Sequence, residues 1–333
     1  MIKGYAATEP AGVLKPFEFD PGPLGENQVE IKVEYCGLCH SDLSMLTNEW
    51  GISQYPLVAG HEIIGTVAAK GSLAHGLTPG QKVGLGWFAD SCLTCEWCKS
   101  GNHHLCPSVV GTIIGHHGGF ADRVRANAAW VIPLPEHLNP QTAGPLMCGG
   151  VTVFNPLLLA QVKPTARVGI VGIGGLGHMA LQFARAWGCE VTAFSGSPDK
   201  ESEAKSFGAH HFINSRDPVA LKRSANSFDF ILSTVNAPLD WQAYIDALRP
   251  QGRLHQVGAV TQPISLPLFP MLLGEKSFSS SPTGSPAAIA AMLNFAARHH
   301  VRPTIETFRF SEVNDALERL RQGKARYRIV LKP

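Results

Sequence analysis

The chain has 333 residues, beyond the size at which a single hydrophobic core stops growing, so two domains are expected. An apolar fraction of 44%, a charged fraction of 16% and a formal net charge of +2 exclude a disordered chain and leave no electrostatic footprint for nucleic acid. The longest apolar run, Val168 to Ala184, is broken by glycines and His178 and is shorter than the roughly 20 residues of a membrane helix, so no membrane contact is expected.

The opening stretch MIKGYAATEP lacks the apolar core of a secretory signal, and a cytoplasmic location with reduced cysteines is expected. Up to about residue 150 the chain is rich in glycine and proline, with short β-prone pieces at Val29 to Tyr35, Ile63 to Ala68 and Gln81 to Leu85. Two fragments of this half carry candidate chemistry, Cys36-Gly-Leu-Cys39-His40-Ser41-Asp42 and Gly60-His61-Glu62. Alone, the first reads equally as a redox pair and the second as a structural His–Glu pair.

Cys92, Cys95, Cys98 and Cys106 follow with the spacing C-x2-C-x2-C-x7-C, half of the chain's eight cysteines in one loop. In a reducing compartment such clustered thiols point to metal rather than disulfides, and four thiolates make a closed tetrahedral zinc site. An iron–sulfur cluster is the rival, but its regularly spaced run ending in Cys-Pro is absent. Four cysteines satisfy zinc without the adjacent His103 and His104, which read as solvated loop residues. The doublets His116-His117, His210-His211 and His299-His300 read as surface. Cys148, in Pro145-Leu-Met-Cys148-Gly-Gly, completes a second set: with Cys39 and His61 it supplies two thiolates and one imidazole, which leaves a zinc position open.

From Val168 strands alternate with helical patterns: Val168 to Val171, Glu190 to Phe194, Phe228 to Val235 and Gly252 to Gly258 read as strands of a parallel sheet. The first leads into G-x-G-x-x-G, with Gly172 for the tight turn, Gly174 for approach to a pyrophosphate and Gly177 for close helix–strand packing. The following helix places Leu176, Met179, Ala180, Phe183, Ala184 and Trp187 on one face and can be closed by Gly188. At the end of the second strand, where NAD-binding sites carry an acid, the chain reads Phe194-Ser195-Gly-Ser197-Pro-Asp199-Lys200. Ser195, Ser197 and Lys200 offer donors and positive charge to a 2'-phosphate, which predicts NADP(H). Asp199 reaching back to serve NAD is the alternative. Further on, Ser285 caps a helix opened by Pro286, and a last helix, about Ser311 to Gln322, precedes a strand at Tyr327 to Leu331.

Taken together, CGLCHSDL at 36–43, AGHE at 59–62, the four-cysteine lobe, GPLMCGGVTVF at 144–154, GIGGLG at 172–177 and GKARYRIV at 323–330 resemble the zinc-dependent medium-chain dehydrogenase/reductase family, nearest its cinnamyl-alcohol-dehydrogenase-like aldehyde reductases. The resemblance implies an α/β protein: a GroES-like β-barrel catalytic domain from 1–150 and 286–333, and a Rossmann doubly wound parallel-sheet domain at 151–285. It implies two zinc ions per subunit, a catalytic one on Cys39, His61 and Cys148 and a structural one on Cys92, Cys95, Cys98 and Cys106. Glu62 would exchange with the zinc-bound water, Asp42 would fix the His61 tautomer, and Ser41 would pass a proton to the substrate oxygen. Relatives often continue that relay through a histidine where this chain has Ser44, so Ser44 or water takes its place. Cofactor contacts are implied for His40, for Gly172, Gly174, Gly175, Leu176 and Gly177, and for Ser195, Ser197 and Lys200. The activity implied is reversible NADPH-dependent reduction of aldehydes to primary alcohols by a homodimer paired near Lys276 to Ser281. A polyol or secondary-alcohol dehydrogenase and a silent NADPH-binding protein are the alternatives. Trp50, Tyr55, Trp87 and Phe269 are candidate pocket residues, and Cys36 and Cys189 are expected to be core thiols.

Overall fold

The computed structural model describes all 333 residues, which fall into two compact units, Met1–Val151 with Thr283–Pro333, and Thr152–Pro282. In the first, a seven-stranded sheet runs in the spatial order Ile305–Arg309, Arg328–Lys332, Gln28–Leu38, Glu62–Lys70, Lys82–Leu85, Ile132–Pro133, and Arg123–Asn127 pairs with Gln28–Leu38 off that path. Val29, Ile31 and Val33 alternate into the core along the longest of these strands, the period of two expected of a strand with one buried face. At its far end Gly37 pairs with Glu62 on one side and Val330 on the other. That register gathers chain segments from both ends of the sequence at one point.

Local geometry then fixes the residues just past these strand ends. Cys39 is the extended residue before the helix His40–Leu46, and the Asp42 carboxylate accepts its N–H at 2.9 Å, a cap that also places negative charge at the positive end of the helix. A short turn at Gly144–Met147 lies against the strands because Gly144 has no side chain; a Cβ there would stand 2.8 Å from the Glu62 carbonyl oxygen. Cys148 is the next residue.

The second unit holds a six-stranded parallel sheet ordered His211–Asn214, Glu190–Ser195, Arg167–Val171, Phe228–Ser233, Leu248–Gln256, Ser277–Ser280. Within the unit this is the 3-2-1-4-5-6 order of a dinucleotide-binding sheet, with the order reversing between Arg167–Val171 and Phe228–Ser233. The helix Gly177–Trp187 buries Met179, Ala180, Leu181, Phe183 and Ala184, and Gly188 ends it at φ 102° with its N–H on Ala184 and Arg185 carbonyls. Each large side chain so buried contributes roughly 1.5–3 kcal/mol. Phe183→Ala would remove the largest of them, at about 3–5 kcal/mol.

Several sequence expectations need adjustment. The strand expected at Gly252 starts earlier, at Leu248, and the last helix is a 3₁₀ turn over Phe310–Glu312 followed by an α-helix over Val313–Arg321. His103 and His104 are half-buried, not solvated, and the Nδ1 atom of each is enclosed without a hydrogen-bond partner; His103 sits edge-on to Trp130. His116 and His117 are likewise half-buried: His116 Nδ1 lies 3.1 Å from the Thr112 carbonyl oxygen, and His117 packs 4.3 Å from the Phe19 ring. Alternation of polar and apolar residues does not reveal such loop burial. No single helix is long and apolar enough to cross a membrane.

Candidate active site

The sulfurs of Cys39 and Cys148, a ring nitrogen of His61 and a carboxylate oxygen of Glu62 lie within 4.8 Å of one another, all four residues buried. The strand register explains the convergence. Cys39 follows Gln28–Leu38, His61 and Glu62 open the antiparallel neighbour, and Cys148 follows the turn that Gly144 lets in. Gly37 makes room for the carboxylate, since a Cβ on it would stand 2.1 Å from Glu62 Oε2.

Asp42 organises the cluster. Its Oδ1 lies 2.9 Å from His61 Nδ1 and accepts the Gly60 N–H at 2.9 Å, while Oδ2 takes the Cys39 N–H. A carboxylate only accepts, so His61 Nδ1 carries a proton, and Nε2, 3.3 Å from Cys148 Sγ, is the ring atom turned to the sulfurs. The two sulfurs share one proton: the hydrogen bond from Cys148, then the Arg328 charge and His61, hold Cys39 well below the usual thiol range despite burial. Cys148, as the donor, is pushed well above it. Burial pushes the Glu62 carboxyl up to about 7 even though Arg328 opposes the shift. Arg328 donates to Glu62 Oε1, whereas Glu62 Oε2 is enclosed without a partner.

This donor set fits zinc. Two soft sulfurs, an imidazole whose tautomer is fixed by a carboxylate, and an enclosed oxygen lacking a partner are what a three-ligand site with an open position requires. Trp87 walls one side, its ring 4.7 Å from His61 and 6.0 Å from Trp50. Tyr55 does not present its hydroxyl to the site; it donates to the Leu46 carbonyl at 2.9 Å and braces the helix end. Phe269 is 71% exposed, beside Leu268, Leu272 and Leu273, and is not part of an enclosed wall.

Ser41 Oγ lies 3.8 Å from Cys39 Sγ. Ser44 is buried and donates to Glu49 Oε2 at 2.6 Å, a pairing that sequence reasoning missed. His40 is exposed at the first helical position. Arg328 lies within the GKARYRIV motif, but only the sheet register shows that it meets Glu62.

In the four-cysteine lobe the ligand atoms of Cys92, Cys95, Cys98 and Cys106 also fall within 4.8 Å. Backbone N–H groups of Cys95, Cys92 and Ser108 point at the Cys92 and Cys106 sulfurs, and donors from Thr94 and Cys95 bring the Cys92 thiol down to about 6. Burial, with the neighbouring Cys95 and Cys106 thiols, pushes Cys98 up to about 11, so Cys92 is the sulfur these donors favour as thiolate; with four sulfurs the set is closed to substrate. Cys36 and Cys189 are buried elsewhere, with thiols raised by burial, Cys189 to about 11.

In the second unit Gly172 turns at φ 88°, Gly174 has open space where a Cβ would point, and a Cβ on Gly177 would come within 1.8 Å of the Gly172 carbonyl oxygen. These are the three properties a pyrophosphate-binding turn needs, in sequence order. Lys200 Nζ donates to the Ile173 carbonyl at 2.8 Å, and the Ser197 N–H donates to Ser195 Oγ at 3.2 Å. Gly175 and Leu176 complete the turn, and Asp199 is exposed.

A β-sheet unit carrying an open metal-donor set, joined on one chain to a dinucleotide-binding sheet, defines a two-domain dehydrogenase. The alcohol dehydrogenase GroES-like domain family matches residues 25–136 and the zinc-binding dehydrogenase family matches residues 175–298. An aldehyde reductase from Synechocystis is 56% identical over 99% of this chain and 98% of its own length. A cinnamyl alcohol dehydrogenase from Sorghum bicolor superposes with a TM-score of 0.95 at 39% identity, covering 99% of this chain and 97% of that one. A Helicobacter pylori relative of the same type, solved as a complex with NADP(H), gives 0.91 at 30% identity over 99% and 97%. The chain belongs to the zinc-dependent medium-chain alcohol dehydrogenase family, in its cinnamyl-alcohol-dehydrogenase-like branch, and is an oxidoreductase.

Proposed function

We propose that this oxidoreductase reduces aldehydes to primary alcohols with NADPH, reversibly, on a zinc ion held by Cys39, His61 and Cys148, and that a second zinc sits in the four-cysteine lobe. The buried, tautomer-fixed donor cluster carries the reading. The Synechocystis aldehyde reductase and the NADP(H) complex of the Helicobacter pylori relative support the substrate class and the cofactor. So does the absence of an acid at Ser195. Zinc in this set supplies Lewis-acid polarisation of the carbonyl, and NADPH supplies the hydride.

The chain's own residues do the rest. Asp42 holds the His61 proton on Nδ1 and keeps Nε2 turned to the sulfurs. Arg328 neutralises Glu62 through Oε1, and Oε2 stays enclosed without a partner beside Gly37. Trp87 and Trp50 exclude water from one side and offer an apolar face to the aldehyde. The Ser41 hydroxyl would give its proton to the carbonyl oxygen. Ser44 lies three residues on, along the same helix face, and donates to the exposed Glu49; our reading is that this pair is where that proton is replaced from solvent.

The edge strand Ser277–Ser280 and the exposed Leu268, Phe269, Leu272 and Leu273 nearby in sequence make a homodimer our reading of the assembly, because open edges and apolar patches invite pairing. The clustered free thiols support a reducing compartment, and the cytoplasm is our reading of the location. A panel of straight-chain, branched and aromatic aldehydes, with NADPH and NADH in turn, tests the function. Consumption of NADPH by aldehydes supports it, and a zinc-replete protein that oxidises neither cofactor with any aldehyde refutes it.

A further inference from the structure

Arg216 follows the strand His211–Asn214, which runs parallel to Glu190–Ser195 with Asn214 opposite Ser195. The Ser215 N–H extends that pairing by donating to the Ser195 carbonyl at 3.0 Å, and Asn214 Oδ1 accepts the Arg216 N–H at 3.0 Å. From this anchored backbone the Arg216 side chain crosses Gly196. A Cβ built on Gly196 would lie 3.0 Å from Arg216 Nε, 3.3 Å from Cγ and 3.5 Å from Cδ, so the glycine leaves the stem its path. The adjacent acid does not claim the guanidinium: Asp217 Oδ1 accepts the Val219 and Ala220 N–H groups and caps the helix Pro218–Arg223.

An exposed guanidinium is therefore laid beside Ser195-Gly196-Ser197, at the end of the second strand. In dinucleotide-binding sheets this is where the adenosine ribose is read, by an acid for a free 2'-hydroxyl and by a cation for a 2'-phosphate. Lys200, the cation that the sequence places next to the serines, has its ammonium on the Ile173 carbonyl in the glycine turn. Arg216 arrives from a different strand, 16 residues beyond Lys200, and offers the planar fork that pairs with phosphate through two parallel hydrogen bonds.

We propose that Arg216 is the residue that distinguishes an adenosine 2'-phosphate from a free 2'-hydroxyl, with Ser195 and Ser197 as its hydroxyl partners, and that Lys200 braces the glycine turn. The inference rests on the NADPH reading and assigns its specificity to a side chain outside the sequence motif.

Isothermal titration of the purified full-length protein with 2',5'-ADP, 5'-AMP, NADPH and NADH tests it. Arg216→Ser is expected to weaken 2',5'-ADP and NADPH by about 10- to 100-fold, the usual effect of losing a charge-assisted pair, and to leave 5'-AMP and NADH unchanged. Arg216→Lys restores part of the loss, because it returns the charge without the fork. Lys200→Ala weakens phosphorylated and unphosphorylated ligands alike. Unchanged 2',5'-ADP affinity in Arg216→Ser overturns the assignment, as does an equal loss for 5'-AMP, which would mark a purely structural role. A wild-type protein that binds 2',5'-ADP no tighter than 5'-AMP refutes the NADPH reading itself, and this inference with it.

Discussion

Gly37 and Glu62 face each other across an antiparallel strand pair, and the carboxylate of Glu62 occupies the space a side chain on Gly37 would need, with Oε2 2.1 Å from the position of that missing Cβ. Buried Glu62 has no room to retreat, since Arg328 holds its other oxygen and Gly144 packs on its carbonyl. Gly37→Ala is therefore expected to destabilise the protein by about 1–3 kcal/mol, as overpacking does, and to lower turnover at saturating aldehyde. Denaturant midpoints and steady-state kinetics on the same preparation measure both.

Asp42 contacts three partners, His61 Nδ1 and the N–H groups of Cys39 and Gly60. Asp42→Asn keeps the shape but presents an amide that does not enforce the Nδ1–H tautomer. Zinc affinity at the Cys39 site is expected to fall by about 10- to 100-fold, measured by competition with a chelator, while the four-cysteine lobe keeps its metal.

The lobe is predicted to stabilise without taking part in chemistry. Cys98→Ser is expected to remove one zinc per chain and lower the thermal midpoint, while the remaining folded fraction keeps its aldehyde KM. A changed KM with an unchanged midpoint would assign the lobe to the substrate site instead.

His255 supplies a pH signature. Its ring is buried between Ser279 Oγ at 2.9 Å and Ser281 Oγ at 3.0 Å, and burial, aided by the Arg253 charge, lowers its value to about 4. The folded state thus resists protonation that the unfolded chain accepts near 6.5. The contribution is fully present above about pH 6.5 and is lost as pH falls through that window towards 4, on the order of 3 kcal/mol in all. His255→Gln is expected to flatten the stability curve over this interval, read from denaturant midpoints at a series of pH values.

Much of this organisation was legible in the sequence because it is local. The glycine turn declared itself by lying between an apolar strand and an amphipathic helix, and the Gly188 stop and Ser285 cap are residues whose conformational preference does not depend on distant partners. The sheet's parallel character followed from alternation of strand and helix. Contacts set by register were not legible. Glu62 and Arg328 stand 266 residues apart, and nothing in either segment announces that both flank the end of Gln28–Leu38. Ser44 departs from the histidine of relatives, and its partner Glu49 meets it only because the chain beyond the helix His40–Leu46 curls back onto it. An aromatic ring in a sequence reads equally as pocket wall, core or surface, and the fold leaves Phe269 exposed beside Leu268, Leu272 and Leu273.

The reading stands or falls on Cys148, the residue that converts a His–Asp pair beside one thiol into an open zinc site. The direct test is zinc content per chain together with NADPH-dependent reduction of butanal, for the wild type and Cys148→Ala. Two zinc ions are predicted in the wild type, and one in the variant, with turnover reduced by about 1000-fold or more as the Lewis acid is lost. A variant that retains both zinc ions and the wild-type rate would contradict the account.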